Sequence, residues 1–140
     1  MNAGITPSDE ALAKYNEFKM GKKIAALVFK IDKVDGVEKV VLDKEFPKEG
    51  FKQDDLVSYL PTDEGRFVLL DFAYQNDDDI TVYKIISILY CPTTAKAKKK
   101  MMYSTTYGTL NSTLGAIAAE MQCDGPSEIS TEHILKRMKK

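Results

Sequence analysis

The stretch KAKKKMMYSTTYGTL (residues 96–110) carries the densest chemistry in the chain. Lys96, Lys98, Lys99 and Lys100 crowd together, Met101 and Met102 follow, and then come the hydroxyls of Ser104, Thr105 and Thr106. Ammonium groups this close would grip phosphate or meet an acidic protein surface, and a flexible thioether beside them would fill an irregular apolar cleft. The spacing predicts a helix that begins among the lysines, where the helix dipole is already positive. Each lysine there costs the helix about 0.3–1 kcal/mol at low ionic strength. A local cost at an exposed site points to function. A solvated lysine run that aids solubility accounts for the same residues, and the pattern alone leaves both readings open.

No other group of residues reads as a reaction centre. GxxxxGK[ST] and GxGxxG loops, whose glycines let backbone amides approach a phosphate, are both missing. The sole histidine, His133, lies near the C-terminus beside cations, without the nucleophile and orienting carboxylate that a triad base needs, and reads as a partly exposed helix residue. Asp77, Asp78 and Asp79 lack the alternating spacing and closing glutamate of a calcium loop and read as a solvated turn. Cys91 and Cys123 have neither CxxC spacing nor companion histidines, so they read as free thiols in a reducing compartment. With no HExxH, GxSxG or CxxC motif, the expectation is a protein that is not an enzyme and that holds neither metal nor cofactor.

The elements that must carry the lysine cluster follow from periodicity. Ser8 before Asp9 and Glu10 caps a helix with apolar positions Ala11, Leu12, Tyr15 and Phe18, and Gly21 stops it. Residues 24–31 (IAALVFKI) read as a strand, Asp35-Gly36 as a hairpin turn and VEKVVLD as the returning strand. Phe51 to Leu60 gives a short helix closed by Pro61. RFVLLDFAY and ITVYKIISILY, separated by QNDDD, are nearly unbroken in apolarity and predict central strands covered on both faces.

From about Ala95 to Leu114 a long helix places Met102, Thr106, Leu110 and Leu114 along one side, while Gly108 weakens it by about 1 kcal/mol against alanine and allows a bend. GAIAAEMQC predicts a last short strand, although AIAAEM also fits a helix. Pro126-Ser127-Glu128 leads into a terminal helix with apolar positions Ile129, Ile134, Leu135 and Met138, and Lys136, Arg137, Lys139 and Lys140 favour the negative end of its dipole. This order predicts an α/β fold in which a mixed sheet is sandwiched between helices.

A length of 140 residues, with 44% hydrophobic and 29% charged side chains, predicts one globular domain over residues 1–140. The net charge of -1 argues against a surface committed to nucleic acid. MNAGITPSDEALAKYNEF has no basic leader ahead of an apolar core, and no window approaches about 18 unbroken apolar residues, so the expectation is a cytoplasmic protein.

KKKMMYSTTYGTL, preceded by ILYCPTTA, resembles the signature of the ADF/cofilin family of small actin-depolymerising proteins, in which a strand ending in aromatic-x-Pro leads into a long helix beginning Lys-x-Lys-Met-x-Tyr-x-Ser/Thr. AGITPSDEALAKYNEFK resembles the family's opening, YLPTDEGRFVLLDFAY its Leu-Pro, acidic, Arg-Phe/Tyr, Asp-Phe/Tyr segment, and SEISTEHILKRMKK its closing helix. The likeness runs in order over essentially the whole chain. It implies the gelsolin-like ADF-homology fold and a monomer on the actin cytoskeleton. It also implies binding to monomeric and filamentous actin, with depolymerisation of the filament and no catalysis.

Carried over by position, the resemblance implies a monomer-binding surface of Asn2, Ala3, Gly4, Ile5, Lys98, Lys100 and Met101, with Ser104 and Thr105 nearby and Met102 on the opposite side in the core. It implies a second surface, for filament sides, at Lys84, Arg137 and Lys140. Lys96, Lys98, Lys99 and Lys100 are implied as a phosphoinositide site that competes with actin, at about 1 kcal/mol per lysine near an anionic membrane.

Three positions depart from the family pattern. Val82 stands where relatives carry a basic residue, and Lys136 where an acidic one is common, and both bear on filament binding and severing. Ala3 stands where many members carry a serine whose phosphorylation blocks actin binding. Two rival readings remain: a coactosin-like filament side-binder that does not depolymerise, and a lipid- or nucleic-acid-binding module using the same basic patch. Near-neutral charge and the lack of interleaved exposed aromatics count against nucleic acid.

Overall fold

In the computed structural model, which describes residues 4–21 and 23–138, the chain enters through a two-residue strand, β1 (Thr6–Pro7). The side chain of Ser8 then accepts the Ala11 N–H at 3.1 Å, capping α1 (Asp9–Phe18) as its position before two acids predicts. Strands β2 (Ile24–Val34) and β3 (Val37–Pro47) form the expected hairpin, longer than their apolar cores suggest. The turn between them has positive φ at both Asp35 (51°) and Gly36 (81°), the geometry a two-residue hairpin loop needs.

Next come α2 (Gln53–Tyr59), the paired strands β4 (Arg66–Gln75) and β5 (Thr81–Tyr90), the long helix α3 (Ala97–Leu114) and β6 (Ala119–Cys123). A 3-10 turn at Pro126–Ile129 leads into α4 (Thr131–Met138). The sheet order is β1-β3-β2-β4-β5-β6, with the β1/β3 and β5/β6 pairs parallel and the others antiparallel. β4 and β5 are therefore central, as their unbroken apolarity predicts.

Alternation along each strand divides the core. On one face, Phe29, Phe67, Leu69 and Leu89 pack with Tyr15 and Phe18 of α1 and with Tyr103, Leu110 and Leu114 of α3. On the other, Val28, Val68, Ile86 and Ile88 pack with Leu56 of α2, Ile129 of the 3-10 turn and Ile134 of α4. Sheet between helices is thus the observed architecture.

Several details differ from the reading of the sequence. β1 was not legible, because two residues pairing in parallel with Lys39 and Val40 leave no local pattern; Ser8 N–H extends that contact to Val40 O at 2.9 Å. α3 runs unbroken through Gly108. Its buried side includes Tyr103 and Asn111 besides Thr106, Leu110 and Leu114, while Met102 is half-buried at the margin. The QNDDD segment is a turn closed by Asn76, whose Oδ1 accepts the N–H groups of Asp78 (2.9 Å) and Ile80 (3.1 Å).

Candidate functional site

Two helices begin in opposite ways. α1 has a capping serine and two acids in its first turn, whereas α3 starts at Lys96 with no side-chain cap and no acid. The missing cap costs about 1 kcal/mol and the misplaced cations add to it. What holds the start of α3 is the loop before it: Lys100 Nζ donates to Thr93 O at 2.8 Å, and Thr94 Oγ1 donates to Thr62 O.

With about 3.6 residues per turn, positions 98, 101 and 105 fall on one line of α3, roughly opposite the buried Tyr103, Thr106 and Leu110. Lys98, Met101, Ser104 and Thr105 are all exposed. Met101 is 71% exposed, which makes a large thioether the most outward apolar group on this face. Among the described residues Lys98 has no carboxylate within ion-pair distance. An unpaired cation beside an exposed methionine is an arrangement suited to a protein groove with an acidic rim.

The amino-terminal arm arrives at the same end of the sheet. Pro7 pairs with Val40, Val40 with Ile31, and the Ile31 N–H donates to Tyr103 Oη at 2.9 Å, so β1 and the first turns of α3 share one rim. Ile5 belongs to the core, 7% exposed and clustered with Tyr103, Leu110 and Leu114. Its side chain anchors the arm in the core, unlike the exposed side chains of Lys98 and Met101. Gly4 lies at the surface, and Asn2 and Ala3 lie outside the described residues.

The basic run does not form one patch. Lys98 points outward with Met101. Lys100 is half-buried and turned toward Thr93, to whose carbonyl its ammonium donates. Lys96 and Lys99 line a separate cleft of about 360 Å³ with Asp63, Glu64, Gly65, Ile31 and Tyr103. The four lysines expected to act together on a phosphoinositide are thus spread around the helix.

The second surface lies at the other end of the β4–β5 hairpin. Lys84 is half-buried on the face of β5 that carries Ile86 and Ile88, the face covered by α4. Six residue steps along β5 take the strand from Lys84 to Tyr90 at the α3 end, about 20 Å. Met138, at the end of α4, lines a shallow cleft with Tyr74, Asn76 and Asp77 of the hairpin end. Arg137 is exposed, but its guanidinium donates to Gln122 O at 3.1 Å at the sheet edge. Lys136 pairs with Glu132 at 3.8 Å, and Lys140 lies outside the described residues.

Sequence reasoning missed the groups that brace the lysine end. A register shift in the β2/β3 ladder leaves Asp43 between the paired Leu42 and Lys44, and Asp43 Oδ2 accepts Arg66 Nε at 3.0 Å. Arg66 also meets Glu64 at 3.2 Å. Its guanidinium is mostly buried; burial opposes its charge, while Asp43 and Glu64 hold it charged, with a net upward shift in its pKa. The one legible hint was an arginine opening an otherwise apolar strand.

Among the described residues no group of three metal-ligating side chains gathers. Cys91 and Cys123 are buried, and burial pushes the Cys123 thiol up to about 11, away from thiolate chemistry. His133 is partly exposed, 3.8 Å from Glu128. Among the described residues no helix is long and apolar enough to cross a membrane.

Comparison with known proteins gives a consistent result. The family described as cofilin/tropomyosin-type actin-binding protein matches residues 4–139. Actophorin of Entamoeba histolytica is 32% identical over 137 residues, 98% of this chain and 96% of its own. Actin-depolymerizing factor 1 of Oryza sativa is 31% identical over 135 residues, 96% of this chain and 95% of its own. Among solved structures, the cofilin of Streptomyces griseoflavus superposes with a TM-score of 0.84 at 28% identity, covering 96% of both chains. The family match over residues 4–139 and the relatives' coverage of nearly the whole chain show that the chain belongs to the cofilin/ADF family of actin-binding proteins.

Proposed function

We propose that this protein binds actin through the outward face of the α3 start, with Lys98 and Met101 as its centre, Ser104 and Thr105 beside them and the amino-terminal arm, anchored by Ile5, along the rim. The observation that carries this reading is Met101, 71% exposed beside an unpaired Lys98 on a helix start that pays for its lysines in stability. The family's printed description and the names of the relatives support actin as the partner.

Lys84 and Arg137, with Lys140, form a second contact that lets the protein hold filaments as well as monomers. A ligand shifts a filament toward disassembly only if it binds the altered subunit arrangement more tightly, so depolymerisation follows from differential affinity at two surfaces on one rigid sheet. Val82 and the inward turn of Arg137 make the second contact the weaker of the two. Ala3 has no hydroxyl, so phosphorylation at that position cannot place negative charge in the interface. Regulation at the arm takes another form or is lacking.

Actin co-sedimentation across a range of protein concentrations tests the proposal. Loss of actin from the pellet with rising protein is the expected result. Decoration of the pellet without loss would replace depolymerisation by side-binding, and no interaction with either form of actin would overturn the reading.

A further inference from the structure

The loop between α2 and β4 is pinned at three points, to the end of β5, to the loop before α3 and to α3 itself. Tyr90 Oη donates to Pro61 O at 2.6 Å, Thr94 Oγ1 donates to Thr62 O, and Gly65 lies so close under the Tyr103 ring that a β-carbon there would sit 2.9 Å from it. This fixes the two acids between those points, Asp63 and Glu64, as one wall of the cleft whose other wall is Lys96 and Lys99. The next shell is balanced as well: Arg66 meets Glu64 and Asp43, and Lys30 lies 3.7 Å from both Asp32 and Asp43.

Opposite walls of a cleft this size stay within the Debye length, about 8 Å at physiological ionic strength, so the carboxylates cancel much of the field of Lys96 and Lys99. A flat anionic membrane reads summed charge, and this flank offers it almost none. A protein groove reads shape, and the exposed Met101 with Lys98 lies on a different face of the helix.

We infer that Asp63 and Glu64 are specificity determinants, which hold the lysine-rich end of α3 back from anionic lipid surfaces while leaving Lys98 and Met101 available to a protein partner. The actin half of this statement rests on the proposed function; the lipid half stands without it. The consequence is that the lysine run binds phosphorylated inositol headgroups more weakly than its four charges suggest.

The test is sedimentation with vesicles of phosphatidylcholine, phosphatidylserine and phosphatidylinositol bisphosphate at physiological ionic strength. Asp63→Asn with Glu64→Gln is expected to bind vesicles about tenfold more tightly than the natural protein. Asp63→Asn alone, which leaves the Arg66 pair intact, should account for a clear part of the gain. Asp77→Asn with Asp78→Asn, at the far end of the sheet, removes the same formal charge and should change vesicle binding less than about twofold.

An equal rise in the Asp77/Asp78 variant, or no rise in the Asp63/Glu64 variant, overturns the inference. Soluble inositol phosphate, run alongside, should show a much smaller gain; an equal gain would mean a discrete phosphate pocket and overturn the membrane assignment. Monomeric actin should bind the Asp63/Glu64 variant within about threefold of the natural protein. If neither protein binds actin while the vesicle result holds, the proposed function fails and the lipid half survives.

Discussion

The backbone N–H of Ile31 donates to the phenolic oxygen of Tyr103 across 2.9 Å, joining the second strand to the long helix at the rim where the lysines stand. Tyr103→Phe keeps the ring against Phe67 but leaves a buried donor without its acceptor. The expected loss is about 1–3 kcal/mol, read from the urea midpoint at constant slope. A loss below a few tenths would mean that the bond does not brace the rim.

Burial pushes the phenols of Tyr15, Tyr90, Tyr103 and Tyr107 above their ordinary value of 10.0. In each the folded state holds its proton more tightly than the unfolded chain. Their contribution to stability is therefore fully present below pH 10 and lost as pH rises through the folded values. Unfolding midpoints measured from pH 9 upward should fall past this point, with phenolate absorbance from these rings appearing together with loss of secondary structure. Full phenolate absorbance in a still-folded protein would contradict it.

Two glycines should respond oppositely to alanine. Gly65→Ala drives a β-carbon into the Tyr103 ring and is expected to cost about 1–3 kcal/mol, because both the ring and the loop are held. Gly108→Ala meets open space on an exposed helix position and should stabilise by about 1 kcal/mol. Thermal midpoints of the two variants, moving in the same direction, would refute the packing described.

Much of the fold is legible because it is written locally. Ser8 before two acids gives the start of α1, Asp35-Gly36 gives the hairpin, and the unbroken apolarity of β4 and β5 gives their central place. What stays hidden depends on partners distant in sequence. β1 is two residues long and exists only by pairing with Lys39 and Val40. The Asp43 bulge and its Arg66 partner are 23 positions apart. At the site, the lysine cluster and Met101 can be read from residue types, while the approach of the arm comes only from the family resemblance. The turning of Lys100 toward Thr93, the burial of Ile5 and the facing of Lys96 and Lys99 by Asp63 and Glu64 depend on where the loops fold back.

The proposed actin binding rests on the outward face of the α3 start. Lys98→Ala with Met101→Ala removes its cation and its exposed thioether without touching the core and takes a positive charge from the positive end of the helix, so the thermal midpoint should stay at or slightly above the natural value. Titration of fluorescent monomeric actin with this variant should show at least about tenfold weaker binding, since two central contacts of a compact interface are lost. Affinity equal to that of the natural protein would contradict the account.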